Sequence, residues 1–406
     1  MAVGATELPE MLPIKGVRLG VACAGIKKPG RRDVVLIELA EQVRSAGAFT
    51  RNAFCAAPVV LAKQHLHQAV PRYLLINTGN ANAGTGSAGM QAAEQSCRAL
   101  AQVADCNANQ VLPFSTGVIG EPLPIEKIEA ALPEAYSQLN ELGWEDAAWG
   151  ILTTDTVAKG VSQKIEIEGH EVTITGISKG SGMIRPDMAT MLAYIATDAS
   201  IAQPLLEKCL KHAVNRSFNR ITVDGDTSTN DACILIASGG SSLPELSDEN
   251  DPAYRRLLTA IGEVFELLAQ KIIRDGEGAT KLITIEVEQG ENEEECNAVA
   301  YTVAHSPLVK TAFFASDPNW GRILAAVGRA GVADLDLSKI EIYLGNVCIV
   351  RNGGRAEDYT EQRGQQVMDQ EEITVSIRLA RGKAQTRVWS CDFSYDYVKI
   401  NAEYRT

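Results

Sequence analysis

The chain has 406 residues, 45% of them hydrophobic and 22% charged, which is enough to bury a large core in two or three domains. A net charge of −13 and only 5% aromatic residues argue against nucleic acid or an anionic membrane surface as the main partner, while leaving small anionic substrates open. Nine cysteines, an odd number without a Cys-x-x-Cys pair, and the lack of any long apolar run or secretory core lead to the expectation of a cytoplasmic protein with reduced thiols. In chain order, an alanine-rich amphipathic stretch predicts a helix over 90–103. Alternation then predicts strands over 164–168 and 171–175, joined as a hairpin at Gly169-His170. The continuous apolar run 232–237 predicts a strand buried on both faces, and the acidic stretch 239–251 a surface loop. Apolar residues Leu258, Ile261, Phe265, Leu268 and Ile272 step by three or four and predict a helix over 255–273, and another is expected over 293–304. Two more hairpins are expected, 339–344 with 347–350 and 373–379 with 384–388. Helices mixed with hairpins, without a regular βαβ alternation, indicate an α+β fold in layers, with a main domain over 1–282 and a strand-rich second domain over 283–406.

The most informative segment is Lys179-Gly-Ser-Gly-Met-Ile-Arg-Pro-Asp-Met-Ala189, which leads into Thr190 and a largely apolar run. Its glycines permit a tight approach and Pro186 fixes one backbone angle just before the Ala189–Thr190 bond. That arrangement suits an N-to-O acyl shift, in which the Thr190 hydroxyl attacks the Ala189 carbonyl and water releases the ester. A cut there leaves Thr190 with a free α-amine beside its own hydroxyl, a nucleophile and base in one residue. Such an amine has a reference pKa of about 7.7–8.0, close to the ideal for a base at neutral pH. The five histidines are scattered and read as surface or satisfied core positions.

Other residues admit two readings each. Thr116 and Gly117, in Pro113-Phe-Ser-Thr-Gly117, suit an oxyanion hole, but a plain strand-to-loop turn explains them more simply. Lys179 suits a substrate carboxylate or a solvated position. Glu277, between Gly276 and Gly278, either projects a carboxylate into a cavity or ends a helix with an exposed acid. Asp224, Asp226 and Asp231 offer oxygen ligands for Mg²⁺ or Ca²⁺, yet lack the spacing and terminal glutamate of a calcium hand, and capping of a turn explains them more simply.

Eight blocks, in order, make the chain resemble the ornithine acetyltransferase family, also called glutamate N-acetyltransferases. They are the 179–198 segment, Asn77-Thr-Gly-Asn-Ala-Asn-Ala-Gly84, Pro113-Phe-Ser-Thr-Gly-Val-Ile119, Thr153-Thr-Asp-Thr156, the 221–231 and 274–281 segments, the 306–319 segment and the closing Ile400-Asn-Ala-Glu-Tyr-Arg-Thr406. The resemblance implies a layered αββα-type sandwich followed by a smaller C-terminal α/β domain. It implies self-cleavage between Ala189 and Thr190 into intertwined chains 1–189 and 190–406, two copies of each, with the C-terminal tail returning to the site. It also implies Thr190 as nucleophile and, through its α-amine, base; Thr116 and Gly117 as oxyanion hole; and Thr153, Lys179, Thr190, Glu277, Asn401 and Thr406 as substrate-binding residues. The implied reaction moves an acetyl group from N2-acetyl-L-ornithine to L-glutamate, giving L-ornithine and N-acetyl-L-glutamate. No metal and no organic cofactor is expected, with acetyl-CoA a second acetyl donor in bifunctional members. The alternatives are a self-processed aminopeptidase of similar architecture and a non-catalytic, metal-binding module organised by the aspartates at 224–231.

Overall fold

The computed structural model describes residues 2–4, 7–185 and 191–403. The chain divides into two compact units, one of Glu7–Asn219 with Asp226–Ile272 and the other of Met1–Thr6, Arg220–Gly225 and Ile273–Thr406.

In the larger unit, the strands Val17–Ala22, Val34–Leu39, Tyr73–Asn80 and Val111–Val118 form one sheet in that order, antiparallel except for the last, parallel pair. A second sheet runs Arg44–Phe49, Ala232–Ala237, Leu192–Thr197, His170–Lys179, Lys159–Ile167. Its strands Ala232–Ala237 and Leu192–Thr197 are parallel to one another and its other pairs are antiparallel. Because side chains alternate along a strand, one face of the first sheet gives Leu19, Val35, Ile37, Ile76 and Phe114 to a core shared with Leu192, Tyr194, Ile234 and Ile236 of the second. Phe114 and Tyr194 meet edge to face at 5.4 Å, an arrangement aromatic quadrupoles favour. The opposite face of the first sheet carries Val34, Leu36, Leu75 and Val111, which pack on helices Gly86–Ala104 and Ile125–Ser137. On the far side of the second sheet, helix Pro252–Arg274 comes close enough that a side chain at Gly176 would stand 3.0 Å from Leu268 Cδ1, and helix Gln203–Arg216 packs on the edge strand. The layers therefore run helix, sheet, sheet, helix, the expected αββα sandwich.

The smaller unit is built on a seven-stranded sheet in the order Gly354–Arg355, Val347–Arg351, Glu341–Leu344, Glu372–Arg378, Leu282–Gly290, Ala384–Cys391, Ile221–Thr222. Helices Glu293–Ala304, Pro307–Phe314 and Trp320–Gly328 bury Val299, Val303, Phe313 and Val327 in its core. Asn292, Ser306 and Asn319 cap these helices with side-chain acceptors, satisfying backbone N–H groups that the helix leaves without partners.

The predicted helices lie within Gly86–Ala104, Pro252–Arg274 and Glu293–Ala304. Two local details differ from expectation. The first hairpin turns on Glu168-Gly169, both at positive φ, so that His170 is already a strand residue opposite Ile167. The strands at 372–378 and 384–391 do not pair with each other, because Leu282–Gly290 lies between them, parallel to the first and antiparallel to the second. Among the described residues no helix is long and apolar enough to cross a membrane.

Candidate active site

The strand Val111–Val118 ends in an irregular register against Tyr73–Asn80, with Gly117 opposite Gly79 and Asn80 facing both Thr116 and Val118. Gly117 holds φ +136°, and a β-carbon there would meet Gly79 C at 2.3 Å and Asn80 N at 2.5 Å. Only glycine fits, because the obstacles are backbone atoms rather than a mobile side chain. A buried asparagine network fixes the bend. Asn77 donates to Asn80 O at 2.9 Å and accepts from Ser115 Oγ at 2.6 Å, while Asn80 donates to Glu121 O and Pro122 O. Asn230 donates to Ala81 O and Ser115 O at 2.6 and 2.9 Å, tying the entry of the second sheet to Thr116 and Gly117. The Asn77–Gly84 motif is thus the scaffold of the bulge. Replacing Gly117 by alanine is expected to lower kcat by about 10²–10³-fold if the bulge supplies an oxyanion donor, measured by steady-state assay with circular dichroism checking the fold.

A carboxylate absent from the sequence-level set joins the next group. Asp155, whose side chain is fully buried, accepts from Gly180 N at 2.7 Å and Thr153 N at 3.1 Å, pairs with Lys159 Nζ at 2.7 Å and faces Lys179 Nζ at 3.8 Å. Burial pushes this carboxyl upward, but the two ammoniums and the Gly180 N–H outweigh it and hold the pKa well below the usual carboxylate range. Asp155 therefore draws together Thr153, Lys179 and the first glycine of the glycine-rich approach. Arg31 fixes the same loop by donating to Leu152 O and Thr153 O at 2.5 and 3.3 Å. Thr78, opposite Thr116 in the first sheet, donates to Gly150 O at 3.3 Å, so the loop and the bulge share one end of the sandwich.

Lys179 closes its strand opposite Leu192, the first residue of the central strand Leu192–Thr197. Ala189 and Thr190 lie outside the described residues, as does Thr406. Met191, the next residue in the chain, is buried, and its N–H donates to the Asp231 carboxyl. Among the described residues no group of three or more His, Cys, Asp or Glu side chains is arranged to hold a metal ion. A groove of about 1040 Å³ along the edge strand Arg44–Phe49, lined by Glu41, Lys63, His67 and Gln203, holds none of the candidate residues.

In the smaller unit the structure joins two predicted residues that are 124 positions apart: Asn401 Nδ2 donates to Glu277 Oε2 at 2.9 Å. Glu277 is buried, in the turn that follows helix Pro252–Arg274. Ser394 caps the tail helix Tyr395–Ala402 and donates to Gly278 O at 2.6 Å, and a β-carbon on Gly278 would meet Tyr397 N at 2.5 Å. Asp392 accepts from Thr280 N, Thr280 Oγ1 and Lys281 N at 2.8, 2.5 and 2.9 Å, anchoring the same turn. Next to it, Lys310 is fully buried, donates to Ser390 Oγ and Cys391 O, and lies 4.6 Å from the Phe393 ring centre. Burial lowers its pKa, against the opposing pull of Cys391, Asp392 and Asp224. The tail helix is thus fastened to the Glu277 turn at both its ends.

The ArgJ family model matches residues 18–406. The chain is 59% identical to Arginine biosynthesis bifunctional protein ArgJ of Pseudomonas fluorescens (strain Pf0-1), covering 100% of both chains. It is 58% identical to the protein of the same name from Methylococcus capsulatus (strain Bath), over 98% of this chain and 97% of that one. Among solved structures, the crystal structure of Arginine biosynthesis bifunctional protein argJ from Bacillus halodurans is 38% identical with a TM-score of 0.50, covering 52% of this chain and 99% of the solved chain.

Proposed function

The chain belongs to the ArgJ family and is an acetyltransferase of arginine biosynthesis, and from that premise we propose that Thr190, freed by self-cleavage after Ala189, carries the acetyl group from N2-acetyl-L-ornithine to L-glutamate. The Thr190 hydroxyl attacks the acetyl carbonyl; its own α-amine takes the hydroxyl proton and returns it to the departing ornithine amine. Thr116 and Gly117 hold the oxyanion, a role worth about 3–4 kcal/mol per donor in comparable sites. Glutamate then enters, and its α-amine takes the acetyl group from Thr190, so the kinetics are ping-pong. Both substrates carry an α-carboxylate beside the reacting nitrogen, and Lys179, set by Asp155, is the cation that receives it. Thr153, Glu277, Asn401 and Thr406 complete the substrate-binding set.

The observation that carries this reading is the glycine-only bulge at Thr116-Gly117, tied by Asn230 to the end of the sandwich where the central strand begins. The Bacillus halodurans match supports the cleavage, since nearly the whole of that solved chain corresponds to about half of this one, as a processed fragment would. No metal or organic cofactor takes part, and acetyl-CoA is the second acetyl donor that the word bifunctional in the relatives' names accommodates. The enzyme works in the cytoplasm, in keeping with nine free cysteines, as an assembly of two copies of each fragment.

The test is an intact-mass measurement on freshly purified protein under denaturing conditions. Two species, ending at Ala189 and beginning at Thr190, are expected. A single full-length species in an active preparation would refute the N-terminal threonine mechanism. Breakdown of acetyl-enzyme that ignores glutamate would instead identify a hydrolase.

A further inference from the structure

Asp231 is a buried carboxyl that no step above uses. It directly precedes strand Ala232–Ala237 and is 1% exposed. Its carboxyl accepts from the Met191 N–H and the Ser228 hydroxyl, while its Oδ2 has no hydrogen-bond partner among the described residues. The surrounding backbone is fixed: Asp231 O accepts from Thr50 N at 3.0 Å, and Ala232 N donates to Met191 O at 3.1 Å. Met191 is therefore held on both its N–H and its carbonyl by residues 231 and 232. The groups that face the carboxyl electrostatically are Lys179, at the end of strand His170–Lys179, and Cys55, on the loop before helix Ala57–Gln68. Buried polar atoms are nearly always paired, so an orphan oxygen one residue from the proposed nucleophile needs a functional explanation.

We propose that Asp231 is a positioning residue for self-cleavage and for the acetyl transfer that follows: it fixes the peptide N–H one residue beyond Thr190 and leaves its second oxygen for the α-amine that cleavage creates. The proposal rests on the reading of Thr190 as nucleophile. In the N-to-O shift, the Ala189 carbonyl carbon gains a bond to Thr190 Oγ and loses its bond to the Thr190 nitrogen, which takes the hydroxyl proton. Water then adds to the ester carbon, the carbon–Oγ bond breaks, Oγ regains a proton from that water, and Ala189 ends as a carboxylate whose proton goes to the new amine. Asp231 makes and breaks no covalent bond in this sequence. It holds the amine beside Oγ, where the amine must act as base. Burial raises the carboxyl's pKa, against the pull of the Met191 N–H, Lys179 and Ser228. When the amine protonates, the two groups titrate as a pair.

The test compares full-length Asp231→Ala and Asp231→Asn with wild type. Cleavage is followed by intact mass after cell-free synthesis, folding by circular dichroism, and transfer by kcat against pH. Asp231→Ala is expected to slow cleavage about tenfold or more, the scale of a lost hydrogen bond to a group that needs it. Asp231→Asn keeps the acceptor for the Met191 N–H and is expected to cleave within about threefold of wild type. It also removes the ionisable group that favours the ammonium, so the acid limb of its transfer profile should move to lower pH; a merely structural contact leaves that limb in place. Wild-type cleavage in Asp231→Ala, or an unmoved limb in Asp231→Asn, overturns the proposal. If Asp231→Ala does not fold, Ser228→Ala takes its place, with slowed cleavage expected and an unchanged rate overturning the idea. A wild-type chain that never cuts at Thr190 fails the underlying reading instead.

Discussion

Thr190→Ala is expected to yield one uncut species of 43.6 kDa with acetyl transfer reduced about 10⁴-fold or more, the scale seen when a covalent nucleophile is removed. Two losses coincide in this variant. Without the hydroxyl there is no internal attack on the Ala189 carbonyl, so the α-amine is never freed, and without the amine no base remains beside position 190. Thr190→Ser separates them. It keeps the hydroxyl and the chemistry, but lacks the methyl group that restricts the side-chain rotamer, so cleavage should slow while any cut protein remains active. Intact mass and a coupled glutamate-dependent assay on the same sample read both effects. A cut and active Thr190→Ala variant would sink the mechanism.

Asp155→Ala should be the most damaging substitution for stability among the described site residues. It removes the carboxylate faced by two buried ammoniums, Lys159 and Lys179, and leaves the Gly180 and Thr153 N–H groups without their acceptor. Breaking a buried pair by deleting one partner typically costs about 3–5 kcal/mol, a large part of an ordinary stability margin. The pH dependence carries the sign of a depressed carboxylate. Asp155 titrates far lower folded than unfolded, so its contribution is complete above the unfolded value of about 3.9 and fades as pH falls through the folded one. Urea midpoints of wild type and Asp155→Ala should therefore differ most near neutrality and converge in acid. A constant gap down to strongly acidic pH would show that the carboxylate's charge is not what stabilises the site.

The parts of the fold written in short-range pattern are legible in the sequence. Alternation marks 164–168 and 171–175, the turn-proximal halves of strands Lys159–Ile167 and His170–Lys179, and three-and-four spacing marks 255–273 within helix Pro252–Arg274. Alternation fixes which face is buried but not which strand lies alongside, and for that reason the insertion of Leu282–Gly290 between 372–378 and 384–391 is invisible in it. The site divides in the same way. Gly117, which the sequence leaves open between an oxyanion hole and a plain turn, stands at φ +136°, a backbone conformation that reserves the position for glycine. Asp155 looks like one more polar turn residue, because its partners Lys179 and Gly180 lie 24 and 25 positions away and leave no local mark. The hydrogen bond between Glu277 and Asn401 spans the smaller unit, and residue spacing alone offers no hint of it.

The order of the five-stranded sheet has a consequence for how the protein can be unmade. Two adjacent interior strands, Leu192–Thr197 and Ala232–Ala237, come from the sequence after residue 190, and they are flanked by Arg44–Phe49 on one side and His170–Lys179 on the other, both from before it. An uncut chain recovers this arrangement by an intramolecular search. A cut one must bring two separate polypeptides together around the same ladder, so its refolding is second order and slows with dilution, while its unfolding does not. Cleavage after Ala189 would thus make an ordinary folding equilibrium nearly one-way at low concentration, and the lifetime of a cut enzyme would be governed by its unfolding rate.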